Sequence, residues 1–169
     1  RPGMHGAKRK RALSEYGDQL LEKQRVKVSY GLREAQLAKI VNSAMKKTGT
    51  VSEIIIVELE RQLSNVIFRL GLTSSRVIAR QLINHGHFLV NNKNASSPSF
   101  AVKVGDVISI KPSSQKLLIF NDLSNKLKKY DPPEWLVLDK EKIEGRMLAL
   151  PKDAEMPFDI SLVVDYYSK

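Results

Sequence analysis

Hydrophobic positions recur at two different periods along this chain, and the change falls near Gly71. Before it the spacing is helical. Leu37, Ile40, Val41, Ala44 and Met45 follow the i, i+3, i+4, i+7, i+8 pattern of one helix face, Lys39 and Lys46 project from the other, and Gly49 stops the run. Ser14 is a good cap for a preceding helix over about 15–28, with Glu15 in its first turn and Gly31 beyond its end. Ser52 caps a third helix whose inner face carries Ile56, Leu59, Leu63, Val66, Ile67 and Leu70. The β-branched run at 54–57 fits a short strand equally well. Beyond Gly71, Ser75 and Gly86 bracket a helix over about 76–85. The period then drops to two. Phe88 and Val90 alternate, Asn91-Asn92 turns the chain, and Val107 to Ile110 follow the turn at Gly105-Asp106. Gln115 to Lys129 is helix-like again, Pro132-Pro133 marks a break, and the β-formers of Ile160–Tyr167 predict a closing strand.

Charge adds a direction to this outline. The net charge is +10 over 169 residues, and its distribution is uneven. Residues 1–60 hold +5, all of it within 1–13; residues 61–125 hold +6, and residues 126–169 hold −1. An excess concentrated in an arm and a middle segment points to a polyanionic partner more than to a uniformly solubilised surface. The arm Gly3-Met4-His5-Gly6-Ala7-Lys8 has no apolar face to insert into a membrane. With no cysteine, thiolate metal sites and disulfides are excluded. His85 and His87 lie at a helix end and a strand start with no carboxylate nearby in sequence, so neither a metal site nor catalysis is expected. No cofactor and no small-molecule substrate are predicted.

The helix over 76–85 carries the sharpest constellation. At 100° per residue, Ile78, Ala79 and Leu82 form its buried side, while Arg76, Arg80 and Asn84 stand in one row opposite with Gln81 beside them. Guanidiniums and an amide in line offer repeated donors to phosphates and base edges, and the Ser75 end of the helix favours anions. A plain solvated face would have the same pattern.

The run Ser75-Arg76-Val77-Ile78-Ala79-Arg80-Gln81-Leu82-Ile83-Asn84-His85-Gly86-His87-Phe88-Leu89-Val90-Asn91 resembles the RNA-binding module named after the fourth small-subunit ribosomal protein. Outside it, Pro2-Gly3-Met4-His5-Gly6, Ser14-Glu15-Tyr16-Gly17, Leu21-Glu22-Lys23-Gln24-Arg25, Leu59-Glu60-Arg61-Gln62-Leu63-Ser64-Asn65-Val66, Trp135-Leu136 and the ending Tyr166-Tyr167-Ser168-Lys169 are similar to the ribosomal protein family itself. Two departures stand out: Asn92 where the family usually has Gly, and Asn94-Ala95-Ser96-Ser97 in place of a commonly basic and apolar stretch.

The resemblance implies an α+β fold. Residues 1–58 with 126–169 would form a largely helical domain completed by the C-terminal tail, and residues 59–125 an inserted module of short helices on a small antiparallel sheet. It implies a structural constituent of the small ribosomal subunit in the cytoplasm, with no enzymatic activity. The partners would be 16S-type rRNA, bound at a helix junction early in assembly, and neighbouring ribosomal proteins, number five among them. A second role, repression of its own mRNA, is also implied. The expected RNA contacts are the arm Lys8, Arg9, Lys10 and Arg11; Lys23, Arg25 and Lys27; Arg61 and Arg69; and Ser75, Arg76, Arg80, Gln81, Asn84, His85 and His87 of the module. Tyr30 is read either as a stacking partner for a base or as packing between helices, and Lys23 and Lys27 either as contacts or as solvated charges.

Overall fold

The structure is a computed structural model that describes residues 14–151, 154 and 156–168. The first helix, α1 (Glu15–Ser29), starts where the Ser14 hydroxyl accepts from the Gly17 N–H at 3.2 Å. Gly31 follows it in the left-handed region at φ 61°. In α2 (Glu34–Met45) the expected stripe is inward, with Leu37, Val41 and Ala44 buried. The ambiguous β-branched run is helical. It lies in α3 (Val51–Glu60), because Ile55 and Leu59 one turn apart bury completely in one cluster with residues of α1 and α2, and that burial outweighs local preference.

The single long helix expected from Ser52 to Leu70 is instead broken at Arg61-Gln62, where α4 (Leu63–Arg69) begins afresh. The reason lies forty residues downstream in the loop 98–102. Phe100 C=O accepts from Leu63 N–H at 2.9 Å and Pro98 C=O from Ser64 N–H at 3.1 Å, while Val102 N–H donates to Arg61 C=O at 2.9 Å. The loop thus satisfies the first amides of α4, which the preceding turn would otherwise have bound. Next, α5 (Arg76–Asn84) is capped by the Ser75 hydroxyl, which accepts from Ile78 N–H at 3.2 Å.

The sheet contains β1 (Phe88–Val90), β2 (Lys93–Asn94), β3 (Val107–Ile110), β4 (Leu136–Asp139) and β5 (Glu144–Met147), antiparallel in the order β2-β1-β3-β5-β4. The β1–β2 turn keeps its shape without glycine: Asn91 and Asn92 both take positive φ, at 50° and 62°. Between β3 and β4 the helix-like stretch is fragmented. Short 3₁₀ turns at Pro112–Ser114 and Leu118–Phe120 precede α6 (Leu123–Lys128), which buries Leu123 and Leu127. The final element is α7 (Ile160–Tyr167), not a strand. The Asp159 carboxylate caps it by accepting from Ser161 N–H at 3.0 Å, and Ile160 and Val163, three apart, face the core.

Two apolar clusters organise these elements. Val26, Leu37, Val41, Ala44, Ile55 and Leu59 join Ile160 and Val163 of the tail in one. The other runs from Leu63 to Met147 and contains the inward residues of the sheet. Residues 126–147, assigned by sequence to the helical domain, belong here: Leu127, Leu136, Leu138 and Met147 bury against α4 and α5 residues. Register brings them there. Gly145 pairs with Ile108 and Leu138, and a side chain there would collide with Leu70.

Gly71 ties α4 to the chain after α6. It sits at φ 74°, and an added Cβ would lie 2.7 Å from the Tyr130 ring. Gly71→Ala should therefore destabilise by about 2–4 kcal/mol, combining left-handed strain with overpacking, as read in urea unfolding.

Candidate RNA interface

A buried carboxylate stands where the two clusters meet. Glu60, the last residue of α3, is 0 % exposed. It accepts from the Tyr30 hydroxyl at 2.5 Å, from Asn65 Nδ2 at 3.0 Å, and from Arg69 Nε and Nη2 at 3.0 and 3.1 Å. Asn65 passes the connection on, its Oδ1 accepting from Arg76 Nε at 2.7 Å. The Arg76 guanidinium lies over the Tyr30 ring at 4.6 Å and the Phe68 ring at 4.7 Å, and Nη1 reaches Ser29 Oγ at 3.4 Å. Arg80 Nη1 donates to Gly31 C=O. Burial, and then the negative charge of Glu60, push the Tyr30 phenol well above its ordinary value, so it stays a donor.

In this joint several of the expected contact residues have partners within the protein. Tyr30 is 3 % exposed and is covered by Arg76, so its ring is packed, not presented. Arg76 and Arg80 leave the expected outward row because their long side chains bend back to Ser29 and Gly31. Arg69 is spent on Glu60, and Arg61 faces Glu58 Oε2 at 3.1 Å. On α5 the buried residues are Ala79, Leu82 and Ile83, with Ile78 only half-buried. The polar side chains it presents outward are Gln81 and Asn84, followed by His85 and preceded by Ser74. His87 is half-buried, its Nδ1 2.9 Å from Ser114 Oγ, and its ring meets His85 edge-on at 5.9 Å. Ser75 is occupied as the cap.

The α1 cations are also engaged. Lys23 is 5 % exposed, 3.0 Å from Glu34 Oε1 and 4.0 Å above the Tyr166 ring. Lys27 lies 3.2 Å from Glu34 Oε2, while Arg25 pairs with Glu22 and remains the most open of the three. The Tyr167 hydroxyl donates to Glu34 Oε1 at 2.7 Å. That bond, with those from Lys23 and Lys27, holds the Glu34 carboxyl at about 2. The expected arm contacts Lys8, Arg9, Lys10 and Arg11 lie outside the described residues.

Sequence reasoning missed Glu60 and Asn65, the residues that organise the joint. The signal was present: Glu60 falls one turn after Ile56 and directly after Leu59, where an inward acid requires cationic partners. Among the described residues no group of three or more His, Asp or Glu is placed to hold a metal, and no helix is long and apolar enough to cross a membrane.

Comparison with known proteins agrees along the whole chain. Residues 1–76 match the ribosomal protein S4/S9 N-terminal domain family, and residues 61–108 match the S4 domain family. The small ribosomal subunit protein uS4 of Chloroflexus aurantiacus is 43 % identical over 99 % of this chain and 84 % of its own length. Proteins of the same name from Caldicellulosiruptor saccharolyticus and Syntrophomonas wolfei are 45 % and 42 % identical, each over 99 % of this chain and 81 % of theirs.

Glu60→Ala should cost about 3–5 kcal/mol in chemical unfolding, since it strands Arg69 and the Tyr30 hydroxyl in the interior. Glu34 sets an acid limit. Its carboxyl is depressed when folded, so its contribution is complete above the unfolded value near 4.3 and fades as pH falls towards about 2. Thermal melts between pH 5 and 2 should show a shallower acid decline for Glu34→Gln than for the parent; parallel curves would remove Glu34 from that role.

Proposed function

The chain belongs to the uS4 family of small ribosomal subunit proteins, a structural and non-enzymatic family, and from that premise we propose that it binds small-subunit rRNA directly as a brace between converging RNA helices. The observation that carries the reading is the exposed row Ser74, Gln81, Asn84 and His85 on a helix fixed to the other unit through Arg76 and Arg80. Amides, a hydroxyl and an imidazole suit unstacked nucleotides and 2′-hydroxyls more than a uniform phosphate track. The cationic share falls to the arm, to Arg25 and to exposed lysines. The two units follow the two apolar clusters: the helical unit is α1–α3 with α7, and the module runs from α4 to β5. Contact with neighbouring ribosomal proteins, number five among them, and repression of its own mRNA through the same surface follow from the family resemblance. Small-subunit placement in a bacterial-type cytoplasmic ribosome follows with them.

In competition, small-subunit rRNA should displace duplex RNA of equal length by a wide margin; equal affinity would remove shape recognition. Deleting residues 1–13, which carry five positive charges, should lower the slope of log K against log salt by roughly 3.5–4.5 units if all five meet phosphates. An unchanged slope would leave the arm in solvent.

A further inference from the structure

Between the two units lies a cavity of about 340 Å³ that none of the expected contacts among the described residues lines. Leu32, Gln36, Lys39, Ile40 and Ser43, from α2 and the turn before it, form one wall, with Glu58 of α3. The opposite wall is Gln62, Ser99 and Ala101, from the break between α3 and α4 and from the loop that caps α4.

Gln62 is the informative residue. It is 5 % exposed, it lines the cavity, and its side chain does not cap α4. A side-chain amide that lines a cavity offers both a donor and an acceptor to a group that enters it. Around it the chemistry is mixed in a particular way. Leu32, Ile40 and Ala101 are apolar. Gln36 uses its carbonyl on the Arg33 N–H at 3.0 Å, leaving its NH₂ group to donate. Glu58 is already neutralised by Lys47 at 2.8 Å and Arg61 at 3.1 Å, so it does not repel an anion. Lys39 is exposed and, among the described residues, has no acidic partner.

We propose that this cavity receives one unstacked nucleotide of the bound RNA, with the base edge on Gln62 and the phosphate beside Lys39. The inference rests on the RNA-binding reading above and gives it a specific point of contact. A planar base needs apolar walls for its faces and a paired donor and acceptor for its edge, and an amide supplies both. The volume lies near the lower end of ligand cavities, of order 300–1,000 Å³, and suits a mononucleotide. Because the walls come from both units, the nucleotide would also pin them together.

The test is chemical footprinting of small-subunit rRNA bound by the full chain, by Gln62→Leu and by Lys39→Ala, together with titration of the four nucleoside monophosphates into the ¹⁵N-labelled protein. The expected result is at least one unpaired base that the parent protects and Gln62→Leu exposes. Affinity should fall about tenfold for Gln62→Leu, the worth of a good base contact, and less for Lys39→Ala. The Gln62 and Gln36 amide signals should move with at least one nucleotide. Lys39 is on the surface, so its variant folds even if Gln62→Leu does not. Identical footprints and affinities for the parent and both variants, on RNA the parent binds well, would overturn the pocket and leave the RNA-binding reading standing. Failure of the parent to bind rRNA would overturn both. Normal footprints with impaired incorporation into subunits would hand the cavity to a neighbouring protein and likewise end the proposal.

Discussion

A carboxylate with no access to water has to be answered within the protein, and in this chain much of the architecture is the answer to Glu60. Its compensation comes from three separate segments: Tyr30 at the end of α1, Asn65 and Arg69 on α4, and Arg76 on α5 through Asn65. The same joint supports the break that the loop 98–102 imposes after α3, since Asn65 Nδ2 also donates to the Glu60 carbonyl at 2.8 Å. A continuous helix would keep that carbonyl for its own ladder. The joint holds two apolar clusters that share no residue, so orientation between the units is set by directional bonds more than by oil. Interior bonds of this kind are costly to break singly, which makes the angle stiff.

The same chemistry explains why the charge was easier to read than its use. Caps and stripes made α1, α2 and α5 legible, because Ser14, Ser75 and the Leu37–Met45 pattern act locally. What depended on distant partners was not. The closing helix α7 is written in β-formers and exists because Ile160 and Val163 find α1–α3. The α3–α4 break is imposed by Pro98 and Phe100. Arg76 and Arg80 occupy the face predicted for them at the backbone, but a guanidinium reaches several ångströms beyond its Cβ, and helical phase does not say where it ends.

The arginines also change how the net charge bears on binding. Arg61, Arg69, Lys23 and Lys27 all have acidic partners, and Arg76 is enclosed by two rings. Cations held this way are engaged within the protein, and their field beyond it is screened by salt within about 8–10 Å. The sequence counts them as a footprint; the fold uses them as mortar. Under the proposed RNA-binding reading, phosphate neutralisation would fall to the terminal arm and exposed lysines, and the α5 face would offer Gln81, Asn84 and His85.

That division suits recognition of a junction. A protein that recognised phosphates alone would tolerate a loose hinge, since counterion release is insensitive to angle. Bridging RNA helices that converge at a fixed geometry is different. Each degree of freedom frozen on binding subtracts from affinity, and a brace whose units swing must freeze them. In this chain the restriction is already made by Glu60, Tyr30, Arg69 and Arg76 when the protein folds. Folding therefore carries the ordering cost that binding would otherwise bear. Under the proposed RNA-binding reading, Arg76 and Arg80 would serve RNA indirectly, by holding α5 and its exposed polar row against the helical unit.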